Sequence, residues 1–294
     1  MKPSYALGVD LGGTKISAGI VSRSGEITGD ITKIPTEPEK PAEGIVSNIC
    51  FAIEKTLKTA GCSLDNLDGI GIGSPGPLDI DNGIILTPRN LPSLHNFALK
   101  EAISKRLNTP VYINNDGNLF VLGESWFGGG RDANIVYGVT LGTGFGSGFV
   151  INKKIFNGST GTAAEIWCFP YRDGIIEDYV SGRGITKSYK DKTGKEIEPK
   201  EIADNALKGD LAAVKVWIEF GEHLGVALSY AVNVVDPEII IIGGSISKNF
   251  NLFSESLDKT LRKHINPIPA QRLKVVPAQL GDNAGLIGAA CLVL

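Results

Sequence analysis

The chain has 294 residues, 42% hydrophobic and 21% charged, the composition of an ordinary globular protein long enough for two lobes. A formal net charge of −3 and a pI near 5.7, with Lys and Arg dispersed, leave no electrostatic footprint for nucleic acid. Pro3 after Lys2 and Asp10 in the first apolar run argue against a secretory leader, no apolar run reaches bilayer length, and Cys50, Cys62, Cys168 and Cys291 have neither metal nor disulfide spacing, so a reducing cytoplasm is the expected setting.

The first predicted element is a β-hairpin, in which YALGVDL enters a glycine turn and KISAGIV leaves it. SNICFAIEKTLKTAG has helical apolar spacing, with Gly61 placed as a C-cap. DGIGIGSPGPLD reads as a strand breaking into a Pro-Gly loop, FALKEAISKRLN as an amphipathic helix and PVYINND as a strand. This alternation predicts an α/β lobe with a partly parallel sheet. From Gly117 to Gly123 the pattern turns helical and begins the crossing to a second lobe. There a hairpin is predicted over 135–155, then an irregular region near 156–185 and an exposed loop over Asp191–Lys200. The helix AAVKVWIEFGEHLGVALSYAVNVV, the buried strand DPEIIII running into Gly243 and Gly244, and a packed helix in DNAGLIGAACLVL complete the chain.

The two hairpins share one pattern. GVDLGGTKIS from Gly8 and GVTLGTGFGS from Gly138 overlay without a gap, with identity at Gly8, Val9, Leu11, Gly12 and Ser17, which suggests a duplicated lobe. Small turn residues let a ligand approach the backbone, and converging amides suit phosphate. Asp10 faces Thr140 in the overlay, so one copy carries a carboxylate that can engage a cation. The competing explanation is that tight hairpins are common in a chain with 37 glycines, and the repetition weighs against it.

Two familiar phosphate motifs fail. Gly71, Gly73 and Gly76 fit G-x-G-x-x-G, but Pro75 and Pro77 resist the helix start that a dinucleotide fold needs. Lys15 follows Thr14 and the chain continues as a strand, which is not a Walker loop. Asn115 and Asp116 end a strand where α/β folds bind ligands, and a carboxylate there could accept a substrate hydroxyl proton; turn chemistry would also explain Asn-Asp-Gly. Glu165 and Glu177 flank the aromatic run WCFPY, as polyhydroxylated ligands favour, although solvated loop acids have the same spacing. Gly243 and Gly244 would let a base or ribose lie on the backbone, or serve strand-to-helix packing. His95 sits in a loop that could line a cleft, and His223 and His264 read as helix-face residues without ligand spacing.

Taken together, GVDLGGTK, GIGSPGPLD, the Asn-Asp of INNDGN, TLGTGFGSG, IIEDYVSGRGI, DPEIIIIGGSIS and LGDNAGLIGAA resemble the ROK family (repressors, open reading frames and kinases) over nearly the whole chain. The resemblance implies a two-lobed actin/hexokinase-like, ribonuclease H-like ATPase fold of class α/β, with duplicated lobes and a cleft between them. Expected bounds are 1–117, with 283–294 returning, and 118–282. It further implies ATP-dependent phosphorylation of a hexose, first of all glucose at its 6-hydroxyl. Asp116 would be the general base, with Asn115, Glu165, Glu177, Gly76 and Asn90 on the sugar. Asp10 would act through Mg²⁺, the amides around Gly12, Gly13, Thr14, Thr143 and Gly144 would cradle phosphates with Lys15 adding charge, and Gly243 and Gly244 would border adenosine.

The loop EIWCFPYRDGIIE departs from the family pattern. Many members carry Glu-x-x-His and a C-x-C-G-x-x-G-C zinc cluster; here Cys168 stands at the histidine position and the cluster is gone. One thiolate cannot make a structural zinc site, so no zinc is expected, with Trp167, Phe169 and Pro170 packing the loop. An N-acetylmannosamine or N-acetylglucosamine kinase is the alternative within the enzyme class, and a catalytically silent sugar sensor the alternative outside it. A repressor is disfavoured because the first hairpin begins within ten residues, ahead of which no DNA-binding module is expected. The partners expected are a sugar and ATP, with neither nucleic acid nor membrane, and the amphipathic helices could supply a homodimer interface.

Overall fold

The computed structural model describes residues 5–294. In chain order it contains β1 (Tyr5–Leu11), β2 (Lys15–Ser22), β3 (Ile27–Pro35), α1 (Ala42–Ala60), β4 (Leu67–Ser74), β5 (Leu78–Asp79), β6 (Ile84–Ile85), α2 (Leu99–Leu107), β7 (Val111–Asn115) and α3 (Asp116–Phe127). Then follow β8 (Ile135–Leu141), β9 (Phe145–Ile151), β10 (Lys154–Ile155), β11 (Pro170–Tyr171), β12 (Gly174–Ile175), α4 (Ile176–Tyr179), α5 (Gly182–Thr193), α6 (Pro199–Leu207) and α7 (Leu211–Val235). The last elements are β13 (Ile239–Gly243), α8 (Ser254–His264), α9 (Pro267–Arg272), β14 (Lys274–Pro277) and α10 (Ala284–Cys291). Two five-stranded sheets organise this α/β chain, in the orders β3-β2-β1-β4-β7 and β10-β9-β8-β13-β14. Among the described residues no helix is long and apolar enough to cross a membrane.

One compact unit takes in the chain up to Arg131, residues 153–163 and Asp282–Leu294. Here β1 pairs antiparallel with β2 and parallel with β4, which pairs parallel with β7. The strands are apolar on both faces because α1 and α10 pack on the sheet. Helix α10 lies so close that a Cβ on Gly71 would stand 1.7 Å from the Ala289 carbonyl oxygen, and one on Gly288 1.7 Å from that of Leu119. No side chain fits at either place. The same packing keeps α3 in this unit, so the expected boundary at 117 falls instead after Arg131. It also accounts for GIGSPG, since Gly71 seats α10 and a Cβ on Gly73 would meet Leu119 Cδ1 at 3.0 Å.

The other unit holds Asp132–Asn152 and Ala164–Gly281. Its β8 pairs antiparallel with β9 and parallel with β13, which pairs parallel with β14. Trp217, Phe220 and Phe253 stack in the core around α7, whose N-terminus is capped by Asp210 accepting from the Ala212 and Ala213 amides. The loop expected over Asp191–Lys200 is shorter than its polarity suggests. Helix α5 continues to Thr193 because Ile185 and Tyr189, one turn apart, are both buried in the core, and it ends at left-handed Gly194.

Both hairpins form, but they are not in register past their turns. Leu11 pairs with Ile16 across four residues, whereas Leu141 pairs with Phe145 across three. Ser17 therefore opposes Asp10 while Ser147 opposes Val139, and the sequence match between those serines does not extend to structure.

Candidate active site

In the first unit the hairpin turn is held from outside. The Gly12 amide donates to the Lys15 carbonyl (2.9 Å), and buried Thr36 donates its hydroxyl to the Gly12 carbonyl (2.7 Å) and its amide to that of Thr14 (3.0 Å). Asn48 in turn donates to the Thr36 carbonyl at 3.1 Å. Gly13 faces Asn90, whose Cβ would lie 2.9 Å from a Cβ on the glycine, while Thr14 and Lys15 are exposed. Asp10, at the end of β1, is half-buried; burial pushes its carboxyl above the ordinary range and the Lys15 charge works against that shift.

At the junction of β7 and α3, Asn115 is the N-cap, its Oδ1 accepting from the Gly117 amide at 2.9 Å. Asp116 Oδ1 accepts from the same amide at 2.8 Å, and Asp116 is exposed at a helix N-terminus, a position that suits an anion. Gly76 lies against Asn115, because a Cβ there would stand 3.0 Å from Nδ2. Beneath the turn runs a chain of amides. Asn114 Oδ1 accepts from the Asn115 amide (2.8 Å) and from Asn118 Nδ2 (3.0 Å), while Asn114 Nδ2 donates to Asn157 Oδ1 (3.1 Å). Asn114 and Asn118 are 3% and 2% exposed, which marks them as support for the junction. INNDGN contains both, but only tertiary contacts separate them from Asn115.

In the second unit the shorter turn is closed by the Gly142 amide donating to the Gly144 carbonyl at 3.0 Å. Glu177 grips this turn: Oε2 accepts from the Phe145 amide at 2.9 Å and Oε1 pairs with Arg183 at 2.6 Å. A Cβ on Gly144 would lie 2.7 Å from that carboxylate, so the glycine makes room for it. A cavity of about 940 Å³ opens beside the turn, lined by Gly142, Thr143, Gly182, Arg183, Thr186, Trp217, Ser245 and Ile246 and by Lys187, Lys190, Lys200 and Lys248. Glu196, Glu198 and Asp204 also line it, Lys190 being paired with Glu196 at 2.6 Å; small residues at one end and a rim on which cations outnumber carboxylates suit a nucleotide. Gly243 and Gly244 are not among its lining residues. Gly243 ends β13 opposite Thr140, and a Cβ on Gly244 (φ 82°) would stand 2.2 Å from the Leu141 carbonyl oxygen, so packing accounts for Gly244, and Ser245 and Ile246 do the lining.

Glu165 accepts from Trp167 Nε1 at 3.0 Å, and the Trp167 carbonyl accepts from the Glu177 amide at 3.1 Å, so Trp167 ties the two glutamates of the loop together. Phe169 and Pro170 do not pack the loop inward as expected. Phe169, outside the ribbon, is 41% exposed beside Tyr230, and Pro170 is exposed because the ribbon turns its Tyr171 side inward. His223 lies on α7, as a helix-face residue should, but it is half-buried against that ribbon.

Comparison with known proteins covers the whole chain. The family model described as ROK family matches residues 6–294. A glucokinase of Thermotoga maritima is 31% identical over 316 residues, covering 98% of this chain and 96% of the relative. An N-acetyl-D-glucosamine kinase of Photobacterium profundum is 32% identical, covering 97% and 98%. The crystal structure of a ROK family glucokinase from Streptomyces griseus in complex with glucose and AMPPNP superposes with a TM-score of 0.82 at 32% identity, covering 98% and 99%.

Proposed function

The chain belongs to the ROK family, and from that premise we infer that it is an ATP-dependent sugar kinase with glucose as its first candidate substrate. The observation that carries the reading is the Asn115–Asp116 pair at the β7–α3 junction, where Asn115 caps the helix and Asp116 stands exposed at its N-terminus. We assign Asp116 the proton of the sugar 6-hydroxyl and Asn115 a neighbouring hydroxyl, and assign Gly76, Asn90, Glu165 and Glu177 to the sugar as well. The nucleotide is assigned to the cavity of the second unit. The amides around Thr143 and Gly144 are assigned to its phosphates, and in the first unit those of Gly13 and Thr14, with Lys15, are assigned to phosphate, whereas the Gly12 amide already donates to the Lys15 carbonyl and serves the turn. Mg²⁺, when bound, neutralises charge on the transferred phosphoryl group. Among the described residues no cluster of three or more His, Cys, Asp or Glu is placed to hold a metal, and a single carboxylate suits Mg²⁺, which takes phosphate and water for its remaining ligands; Asp10 is that carboxylate.

We place the protein in the cytoplasm. A homodimer would form on the face of α7 that carries Leu211 and Ile218, seven residues apart and both exposed. The reaction is tested by ADP release from Mg·ATP with glucose, mannose, fructose, N-acetylglucosamine and N-acetylmannosamine. One sugar leading in kcat/KM supports the assignment and identifies the acceptor, separating glucokinase from the N-acetylglucosamine kinase reading that several relatives favour. Absence of sugar-dependent ADP release from the whole panel would overturn it.

A further inference from the structure

The zinc cluster common in this family does not fit the loop between Glu165 and Glu177. Its only cysteine, Cys168, is exposed, and none of the described residues forms a metal-holding group. Yet the loop needs an anchor. Its tip is a ribbon of two residues per strand, Pro170–Tyr171 against Gly174–Ile175, too short to be stable alone. Its base carries the two glutamates assigned to the sugar, joined through Trp167.

The anchor consists of rings. Tyr171 and Tyr179 meet edge to face at 5.2 Å between centroids, and His223 of α7 packs against both, at 5.7 Å and 5.1 Å. The Tyr171 hydroxyl hydrogen-bonds to His223 Nδ1 at 3.0 Å. Arg172, at the turn with φ 53°, holds its guanidinium 5.7 Å from the centre of one tyrosine ring and 5.6 Å from the other. Asp173 accepts from the Tyr179 hydroxyl. The cluster thus ties the ribbon tip to α7, the longest helix of the unit, whose buried face is part of the core.

We propose that Tyr171, Tyr179 and His223, with Arg172 and Asp173, form a metal-free clasp that positions Glu165 and Glu177 for the sugar. The clasp residues are positioning residues, and this role rests on the sugar-kinase reading above.

Two readouts separate the clasp from that reading. Hydrogen exchange of the amides over 169–176 is measured without any substrate. Protection should survive treatment with a zinc chelator in the native protein and fall at least roughly tenfold in His223→Ala. Loss of protection on chelation, or unchanged protection in His223→Ala, would overturn the clasp whatever the enzyme phosphorylates. In steady-state kinetics, His223→Ala should raise the KM for sugar roughly tenfold with the KM for ATP within twofold, and Tyr171→Phe, which keeps the ring contacts, should raise it only about two- to threefold. Equal rises in both KM values would reduce the cluster to general stability. If His223→Ala does not fold, Tyr171→Phe and Arg172→Gln carry the same test at the tip, and a KM for sugar unchanged in both would overturn the proposal. Absence of turnover in the native protein would sink the kinase reading while leaving the exchange result standing.

Discussion

Glu177→Gln asks whether this carboxylate serves the second hairpin as well as the sugar. In the structure both oxygens are engaged, one with the Phe145 amide and one with Arg183. A glutamine can still accept from Phe145, but its amide group then faces the guanidinium, donor against donor. A hydrogen bond to a charged acceptor is worth about 1.5–3 kcal/mol and a neutral one about 1 kcal/mol, so the amide contact loses about 1 kcal/mol. Arg183 is 65% exposed and Glu177 14%, which limits the ion pair to at most about 1 kcal/mol more. The turn is therefore weakened by about 1–2 kcal/mol, roughly 5- to 30-fold in the population of its braced form. Because Gly144 and Phe145 adjoin Thr143 on the nucleotide cavity, that loss should fall on ATP as well as on sugar. Initial rates with ATP varied at saturating sugar should show kcat/KM for ATP down by that factor, in a protein whose circular dichroism is unchanged. A rise in the KM for sugar alone, with kcat and the KM for ATP intact, would refute the bracing role.

Asp116→Asn keeps an acceptor for the Gly117 amide, so the fold should stand while kcat drops by about 10²- to 10⁴-fold and a fluorescent nucleotide still binds; activity above a tenth of native would end its assignment as base. Asp10→Asn should shift the Mg²⁺ titration of activity to higher concentration, and an unchanged curve would remove Asp10 from the metal site. Gly71→Ala forces a Cβ against the Ala289 carbonyl, so α10 must lift, at a cost of about 3 kcal/mol and a fall in Tm on the order of 10 °C; a melt within a degree of native would contradict the packing. Burial, aided by the Arg172 charge, pushes the His223 imidazole down to about 4. Below pH 6.5 the unfolded chain binds a proton that the folded chain resists, so stability is full above that pH and declines towards pH 4. Allowing for solvent screening of the half-buried ring, the loss is on the order of 1–2 kcal/mol, and urea melts at pH 7 and 4.5 should show it in the native protein but not in His223→Gln.

The parts of this molecule that can be read from one sequence are those whose causes are local. An apolar run that enters a glycine turn and leaves through a second apolar run makes each hairpin, and Gly61 caps α1 because the helix needs a left-handed residue there. Asn115 caps α3 for an equally local reason. Local signals fail where a residue's role depends on what the fold brings to it. The three glycines of GIGSPG look like one motif, yet Gly71 yields to α10, Gly73 to Leu119 and Gly76 to Asn115, and none makes a dinucleotide turn. Thr36 gives no hint in its own neighbourhood that it braces Gly12, twenty-four residues away.

The loop around Cys168 shows the same division at the level of function. Loss of the cysteine cluster is visible in the sequence, so the misfit with zinc is legible, but the replacement is not. Hydrophobicity ranks Trp167, Phe169 and Pro170 as the packing residues; Trp167 does pack against the core, but hydrophobicity is blind to which side of the two-residue ribbon faces inward. The side that does so carries Tyr171, and its partner is His223, fifty-two positions along the chain. A polar phenol and an imidazole would be poor core residues singly; together they satisfy each other's hydrogen bond and stack with Tyr179, so burial costs little. A metal site reveals itself by spacing because each ligand must be of a particular type, whereas a ring cluster asks only that complementary groups meet. Where a family loses a structural metal, the substitute is therefore to be sought on the elements that pack against the vacated loop rather than within the loop.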